Sequence, residues 1–242
     1  MTKHLVFAHA NGFPAGTYRL LFEAWRAAGF EVHAPARLGH DPRFPVTSNW
    51  PRLREELAAF IETQSATPAY LVGHSLGGLL SLMVASRRPE LVRGLVVLDA
   101  PLVTGWRAHS LKVVKATGLL KRISHGRVSQ RRRHEWPSRE AVLAHFASKA
   151  VFARWDPRVL ADYVASGFDE HEGKVVLGFR REVETRIYNT LPHTLGEQLR
   201  RHPLQCPVGF IAGTQSAEAH QFGMAAAHAM ARERFVWLEG SH

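Results

Sequence analysis

The sequence predicts an α/β protein whose mostly parallel sheet of about six strands is flanked by helices and carries an inserted helical lid. Short apolar runs of strand length alternate with helical patterns through roughly the first hundred residues, as in sheets whose parallel strands are joined by crossover helices. The alternation stops over residues 104–192, where the pattern is mostly helical, and then resumes. We therefore expect a core formed by residues 1–103 and 193–242 and a lid formed by residues 104–192.

In the first part of the core, apolar runs predict four strands and helical spacing predicts two helices between them. The second helix is well marked because its apolar residues share one face, Pro51 suits the first turn, and Ser48 or Asn49 can cap its start. The predicted strands are residues 5–8, 31–34, 70–72 and 95–98, and the predicted helices are residues 18–28 and 50–64.

After the lid, the same alternation predicts two further strands and two helices. The strands are residues 208–212 and 235–238, and the helices are residues 195–202 and 219–232. Because the pattern repeats that of the first part, we expect these strands to extend the same sheet.

Length and composition exclude several classes of protein. A chain of 242 residues suits one α/β core. The sequence has no apolar run near the ~18 residues of a membrane span and no signal-peptide pattern at its start, so we expect a soluble, cytoplasmic protein. The single cysteine, Cys206, cannot form an intramolecular disulfide, and no Cys/His cluster has zinc-ligand spacing. Disulfide scaffolds and structural zinc modules are excluded.

The net charge of +10 is concentrated in the lid. Residues 104–155 contain twelve Lys and Arg but only two acidic residues, Glu135 and Glu140. One interpretation is attraction of an anionic substrate, a nucleic acid or a lipid surface, and the other is a solvated helical face whose arginines pair with lid acids. We favour the second, expect no nucleic-acid partner, and leave an anionic small-molecule substrate open. The oligomeric state stays open as well.

The strongest motif is Gly-His-Ser-Leu-Gly-Gly at residues 73–78, between a predicted strand and an apolar helix. A G-x-S-x-G sequence in that position predicts a nucleophile elbow, a strained turn that exposes the serine. Gly73 and Gly77 leave space where a side chain would collide with neighbouring backbone. The turn also places Ser75 at the positive end of the following helix, so that the backbone N–H of Leu76 can stabilise negative charge on an attacked carbonyl.

With this motif, the chain resembles the α/β-hydrolase family, well over residues 4–100 and 204–242 and over residues 104–192 as a variable lid. The resemblance implies an α/β-hydrolase fold. A second motif, His-Ala-Asn-Gly-Phe-Pro at residues 9–14, is similar to the oxyanion loop of the family. It would lend the second backbone donor of the oxyanion hole, which is Asn11 in one alignment and Phe13 in the alternative.

The resemblance also implies a base and an acid. His242, just after the last predicted strand, occupies the place of the family's catalytic histidine. The acid is less well marked, because Ser216 stands three residues past Gly213, where the family often has aspartate. We favour Glu218, with Asp99 at the end of an earlier strand as the alternative.

A serine nucleophile implies an acyl-enzyme and therefore esters, thioesters, lactones or activated C–C bonds as substrates. We expect a cofactor-independent carboxylesterase acting on small or medium acyl substrates, with no metal, since the sequence lacks nucleotide-binding and H-E-x-x-H motifs. His74, Trp106 and Trp136 are the expected substrate contacts. The rival hypotheses are the same apparatus acting on lactone, thioester or C–C bonds, a non-catalytic ligand-binding protein of this fold, and a nucleic-acid-binding role for the basic lid.

Overall fold

The computed structural model describes residues 2–102, 126–222 and 224–242. Among these residues, none of the helices is both long and apolar enough to cross a lipid bilayer. The strands are β1 (Lys3–Ala8), β2 (Phe30–His33), β3 (Ala69–His74), β4 (Val92–Leu98), β5 (Glu135–Trp136), β6 (Phe168–His171), β7 (Lys174–Leu177), β8 (Val208–Gly213) and β9 (Phe235–Leu238).

Six of these strands form one sheet in the order β2-β1-β3-β4-β8-β9, and each neighbouring pair is parallel. The α/β class and the parallel sheet of six strands are therefore confirmed. The α-helices of the described ranges are α1 (Arg19–Ala27), α2 (Pro51–Gln64), α3 (Leu76–Arg87), α4 (Gly126–Arg131), α5 (Arg139–Ala147), α6 (Pro157–Gly167), α7 (Arg181–Asn189), α8 (Leu195–Arg201), α9 (Ala217–Phe222) and α10 (Ala225–Ala231).

The sheet is buried on both faces. Alternate residues of a strand point to opposite sides, so Val6 and Ala8 of β1 join the apolar cluster formed with α2 and α3, whereas Leu5 and Phe7 pack against Phe22 of α1. Helix α3 is apolar around its whole circumference and is buried from its first residue to the penultimate one. A helix of that composition must lie inside the protein, and this one fixes the position of the turn before it.

The start of α2 differs from the prediction. Neither Ser48 nor Asn49 caps the helix; its N-cap is Trp50, which has a left-handed backbone (φ 57°) and no capping side-chain hydrogen bond. Trp50 is fully buried, and its indole N–H donates to Thr190 Oγ1 over 3.0 Å. The Asn49 side chain accepts a hydrogen bond from the backbone N–H of His193 instead (2.9 Å). Burial of the indole and this tether to a distant loop override local capping.

The predicted helix at residues 219–232 is two helices, α9 and α10. In the sequence the two are separated by Gly223, a residue of low helix propensity. Helix α10 packs against β8.

The segment between β4 and β8 contains a small second sheet besides its helices, which the sequence pattern did not predict. Strands β5, β7 and β6 form an antiparallel sheet in that order. Strands β6 and β7 are joined by a two-residue turn, Glu172-Gly173, in which both residues have positive φ (49° and 72°). Turns of this kind match the twist of paired antiparallel strands.

This segment has its own apolar core, formed mainly by aromatic rings, and ion pairs tie it to α1 and to the loop after β2. Arg37 makes two hydrogen bonds to Asp169, of 2.7 and 2.6 Å, and Arg19 donates to Asp162 over 2.7 Å. The aromatic core includes Trp136, Phe146, Tyr163 and Phe168.

Candidate active site

Ser75 occupies a strained turn between β3 and α3. Its backbone has φ 52° and ψ −113°, a conformation that non-glycine residues adopt only when surrounding packing enforces it. The packing is tight. A Cβ added to Gly77 would lie 1.9 Å from the carbonyl oxygen of Ala8, and one added to Gly73 would lie 2.3 Å from the carbonyl oxygen of Gly77. The motif therefore needs glycine at both positions, as the sequence indicates.

The turn puts Ser75 directly before the first residue of α3. The first N–H groups of a helix have no intrahelical acceptor and carry the positive end of its dipole. Leu76 is that first residue, and the first helical hydrogen bond of the turn runs from Leu79 N–H to the Ser75 carbonyl (3.1 Å). The Leu76 N–H is thus available to an oxyanion.

His242 lies against the carboxylate of Asp99. The distance from His242 Nδ1 to Asp99 Oδ2 is 2.5 Å, whereas the distance to Glu218 Oε2 is 3.8 Å. Asp99 is buried and also accepts hydrogen bonds from the Ser216 hydroxyl (2.6 Å) and the Gly213 N–H (3.1 Å). Burial alone would raise the pKa of Asp99, but the bonds from His242, Ser216 and Gly213 outweigh it and lower that pKa.

The structure thus places the alternative acid, and not the favoured Glu218, against the imidazole. The reason is sheet topology: Asp99 follows β4, whose neighbour is β8, so Asp99 reaches the end of β8 from the side. Ser216 stands where the resemblance leads one to expect an acid, and its hydroxyl holds Asp99. Glu218 projects from the first turn of α9 and is one-third exposed.

The imidazole of His242 also contacts His74, the residue before Ser75, with ring centroids 4.9 Å apart. In the part of the chain that the structure describes, no hydrogen bond joins the Ser75 hydroxyl to His242. Hydrogen bonds between catalytic groups are often long in ligand-free enzymes and shorten when substrate binds. Ser75 and His242 thus both adjoin His74, one in the chain and the other by ring contact, without a hydrogen bond between them among the described residues.

His74 belongs to a partly buried chain of hydrogen bonds that the sequence did not reveal. Its Nδ1 lies 2.8 Å from the Tyr18 hydroxyl, which in turn accepts a hydrogen bond from the N–H of Ala10 (3.3 Å). Burial, with a further contribution from His242 and partly opposed by Asp99, lowers the pKa of His74 to about 3. A neutral His74 can accept a hydrogen bond from the Tyr18 hydroxyl at Nδ1. Tyr18 thereby links the nucleophile turn to the loop after β1.

That loop favours Asn11 over Phe13 as the second oxyanion donor. The Phe13 N–H is already bonded to the Ala10 carbonyl (3.1 Å), whereas no acceptor among the described residues takes the N–H of Asn11. The Asn11 side chain is buried and donates to the Glu184 carbonyl over 3.2 Å. His9 is also buried; burial lowers its pKa to about 4, and the neutral ring bonds the Ala10 carbonyl and the Leu38 N–H.

A buried ion pair lies against the same loop. Glu184 is 5% exposed, lies 2.8 Å from Arg132 Nη2 and accepts a hydrogen bond from Ser129 (2.9 Å). A Cβ on Gly12 would come within 3.1 Å of its carboxylate. Burial raises the pKa of Glu184, partly opposed by Arg132 and Ser129. Arg132 belongs to the basic run of the sequence, so that charge is compensated internally.

The structure describes two of the three residues expected to contact the substrate, His74 and Trp136. Trp136 is 2% exposed and packs edge-on against Phe168 inside the aromatic core, so it offers no surface to a substrate. A two-residue strand fixes it there, which corrects the expectation. Trp106 lies outside the described residues. Phe13 instead meets three aromatic side chains of the intervening segment, Phe152, Trp155 and Tyr163, with centroids 6.4, 5.6 and 5.4 Å away.

Sequence comparison places the chain among hydrolases. The model of the Alpha/beta hydrolase family matches residues 5–242. Lipase LipV of Mycobacterium tuberculosis is 39% identical over 70 residues, which are 28% of this chain and 26% of that protein. Monoglyceride lipase of Rattus norvegicus is 30% identical over 139 residues, 52% of this chain and 46% of that protein. The chain thus matches less than half the length of these relatives.

Structural comparison agrees. The thioesterase domain from the curacin biosynthetic pathway superposes with a TM-score of 0.76 at 18% identity, covering 100% of this chain and 85% of that one. E-2-(acetamidomethylene)succinate hydrolase superposes with a TM-score of 0.76 at 20% identity, covering 100% and 84%. At these identities the likeness concerns the fold. Together with the match over residues 5–242, it shows that the chain belongs to the alpha/beta hydrolase family.

Proposed function

We propose that the protein is a cofactor-independent serine hydrolase, a carboxylesterase for small or medium acyl groups. Ser75 is its nucleophile, His242 its base and Asp99 the acid that orients the base. The observation that carries the proposal is the contact of the buried Asp99 with His242, 2.5 Å long, beside a serine held in a strained turn at the start of α3. Relatives named as lipases support an ester as the substrate.

The proposed reaction uses both nitrogens of His242. Because Nδ1 faces Asp99, Nε2 is the nitrogen left to take the proton of Ser75. The Ser75 oxygen attacks the ester carbonyl carbon, and the N–H groups of Leu76 and Asn11 hold the resulting oxyanion. Collapse of this intermediate forms the acyl-enzyme and releases the alcohol, which receives the proton from His242. Water, activated by the same imidazole, then hydrolyses the acyl-enzyme.

The segment between β4 and β8 is proposed to act as the lid, with boundaries at residues 104–192, and to choose the acyl group. Its aromatic side chains around Phe13 give an apolar wall beside the oxyanion loop. Within the described range, four basic residues of this segment pair with acidic side chains: Arg132 with Glu184, Arg139 with Glu170, Arg158 with Asp156 and Lys174 with Glu135. These pairs neutralise only part of the basic segment.

Covalent labelling tests the proposal without a guess about the substrate. A fluorophosphonate should add once to the wild-type protein, as read by intact mass, and should not add to Ser75→Ala. Ser65→Ala removes a serine in an exposed turn and is the matched control, which should label like the wild type. Labelling of Ser75→Ala at the wild-type rate, or a folded wild-type protein that does not label, would contradict a serine hydrolase and favour a ligand-binding member of the fold.

A further inference from the structure

A second group of chemically competent side chains lies on the first two strands of the sheet, away from Ser75. His4 of β1 and Glu31 of β2 are paired in register, and His33 lies two residues beyond Glu31. Because paired residues and residues two apart share one face of a sheet, all three side chains lie on the same side. Nothing in the proposed ester hydrolysis uses them.

Their donor atoms are close together and are not otherwise engaged. His4 Nδ1 lies 3.5 Å from Glu31 Oε2, and His33 Nε2 lies 3.2 Å from Glu31 Oε1. One donor atom from each residue falls within 4.8 Å of the others. Both ring nitrogens are buried from solvent, yet neither has a hydrogen-bond partner among the residues that the structure describes. Buried nitrogens without partners are uncommon in folded proteins, so they point to a missing ligand.

The separations match the ligand shell of a small metal ion. A tetrahedral zinc ion with bonds of about 2.0–2.1 Å holds its ligand atoms about 3.3 Å from one another. The nitrogen-to-oxygen distances lie close to that value, 3.5 Å from His4 to one oxygen of the Glu31 carboxylate and 3.2 Å from His33 to the other. The lone pairs of metal ligands are directed at the ion and not at one another. Such an arrangement explains how each histidine nitrogen can lie near the Glu31 carboxylate without forming a hydrogen bond to it.

We propose that His4, Glu31 and His33 form a binding site for a divalent transition-metal ion, with zinc as the ion whose chemistry fits best. Imidazole and carboxylate are ligands that zinc accepts, and three protein ligands leave a fourth position for water. The Glu31 side chain is half exposed, and His33 also lines a cavity of about 850 Å³, so an ion can enter from solvent. A bound ion would join β1 to β2 at the edge of the sheet.

The alternative is a metal-free cluster in which a protonated histidine pairs with Glu31. Calorimetric titration of chelator-treated protein with zinc separates the two. We expect one site in the wild type, weakened at least about tenfold in His4→Gln and in His33→Gln. His171→Gln is the matched control, because it removes a histidine that lies near Glu172 on an exposed hairpin without a third ligand. Circular dichroism checks that each variant is folded before titration.

Thermal unfolding gives an independent measure. Zinc at about a hundred times its dissociation constant should raise Tm by about 5–10 °C in the wild type and in His171→Gln, and should not do so in His33→Gln. A second group whose donor atoms lie within 4.8 Å of one another could also bind zinc; it consists of Asp99, Glu218 and His242. The variant Glu218→Gln is therefore titrated in parallel, to separate binding at that group from binding at His4, Glu31 and His33. Absence of binding at millimolar zinc, or equal affinity in wild type, His4→Gln and His33→Gln, would overturn the proposal.

Discussion

The nucleophile turn and the segment between β4 and β8 hold their functional groups in different ways. At the turn, close backbone packing positions Ser75: Gly73 and Gly77 allow β3, α3 and β1 to approach more closely than any side chain at these positions would permit. In the intervening segment, side chains determine the positions of the residues, through an aromatic core and through the ion pair of Arg132 and Glu184. Substitutions of these two glycines should therefore abolish the folded structure, whereas substitutions in the segment should lower its stability by smaller amounts.

The largest effect is expected at the turn. Gly77→Ala would place a methyl group 1.9 Å from the Ala8 carbonyl oxygen, which is backbone and cannot move aside. We expect a loss of more than about 4 kcal/mol, so that little folded protein is recovered. The matched substitution in the segment is Gly173→Ala, where φ is 72° but nothing lies within 4 Å.

Gly173→Ala should lower the free energy of unfolding by only about 1–2 kcal/mol, the penalty of a left-handed alanine. Urea denaturation of both variants, followed by circular dichroism, gives the comparison. Similar losses in the two variants would show that close backbone packing does not distinguish the turn from the segment.

A smaller, pH-dependent effect is expected in the segment. Arg132→Gln removes the guanidinium 2.8 Å from Glu184 and leaves a buried carboxylate without its charge partner. Burial already raises the pKa of Glu184, and loss of Arg132 should raise it further. We expect a loss of about 2–4 kcal/mol.

The sign of the pH effect follows from that direction. A carboxyl whose folded pKa lies above its unfolded pKa contributes stability that is fully present below the unfolded value and is lost as pH rises through the folded value. The Tm deficit of Arg132→Gln should therefore be larger at about pH 8 than at about pH 5. Arg131 is an exposed neighbour, and the free energy of unfolding of Arg131→Gln should stay within about 0.5 kcal/mol of the wild-type value at both pH values. A deficit that shrinks with rising pH would contradict a buried Glu184 carboxylate.

Sequence reasoning succeeded where local pattern determines structure. Buried parallel strands are short apolar runs, so all six strands of the main sheet were predictable, and Gly73 to Gly78 predicted the turn because sterics there demand glycine. It missed the sheet of the intervening segment, whose strands are short and whose turn, Glu172-Gly173, has a weak sequence signature.

Contacts between distant parts of the chain could not be predicted from the sequence either. The preference for Glu218 rested on spacing after Gly213, and nothing in one sequence shows that β4 lies beside β8 and brings Asp99 to His242. Tyr18 and Glu184 were missed for the same reason, because each acts on the site from a helix or turn far away in sequence.

The central claim, that Asp99 orients His242 for Ser75, is tested most directly by the kcat/KM of Asp99→Asn and Glu218→Gln on an activated ester such as p-nitrophenyl butyrate. Each substitution keeps the size of the side chain and removes one carboxylate charge. Because Asp99 contacts His242 at 2.5 Å and Glu218 lies 3.8 Å away, Asp99→Asn should lose about 10³–10⁴-fold. Glu218→Gln should lose less than about tenfold. A larger loss in Glu218→Gln than in Asp99→Asn, with both variants folded, would contradict the account.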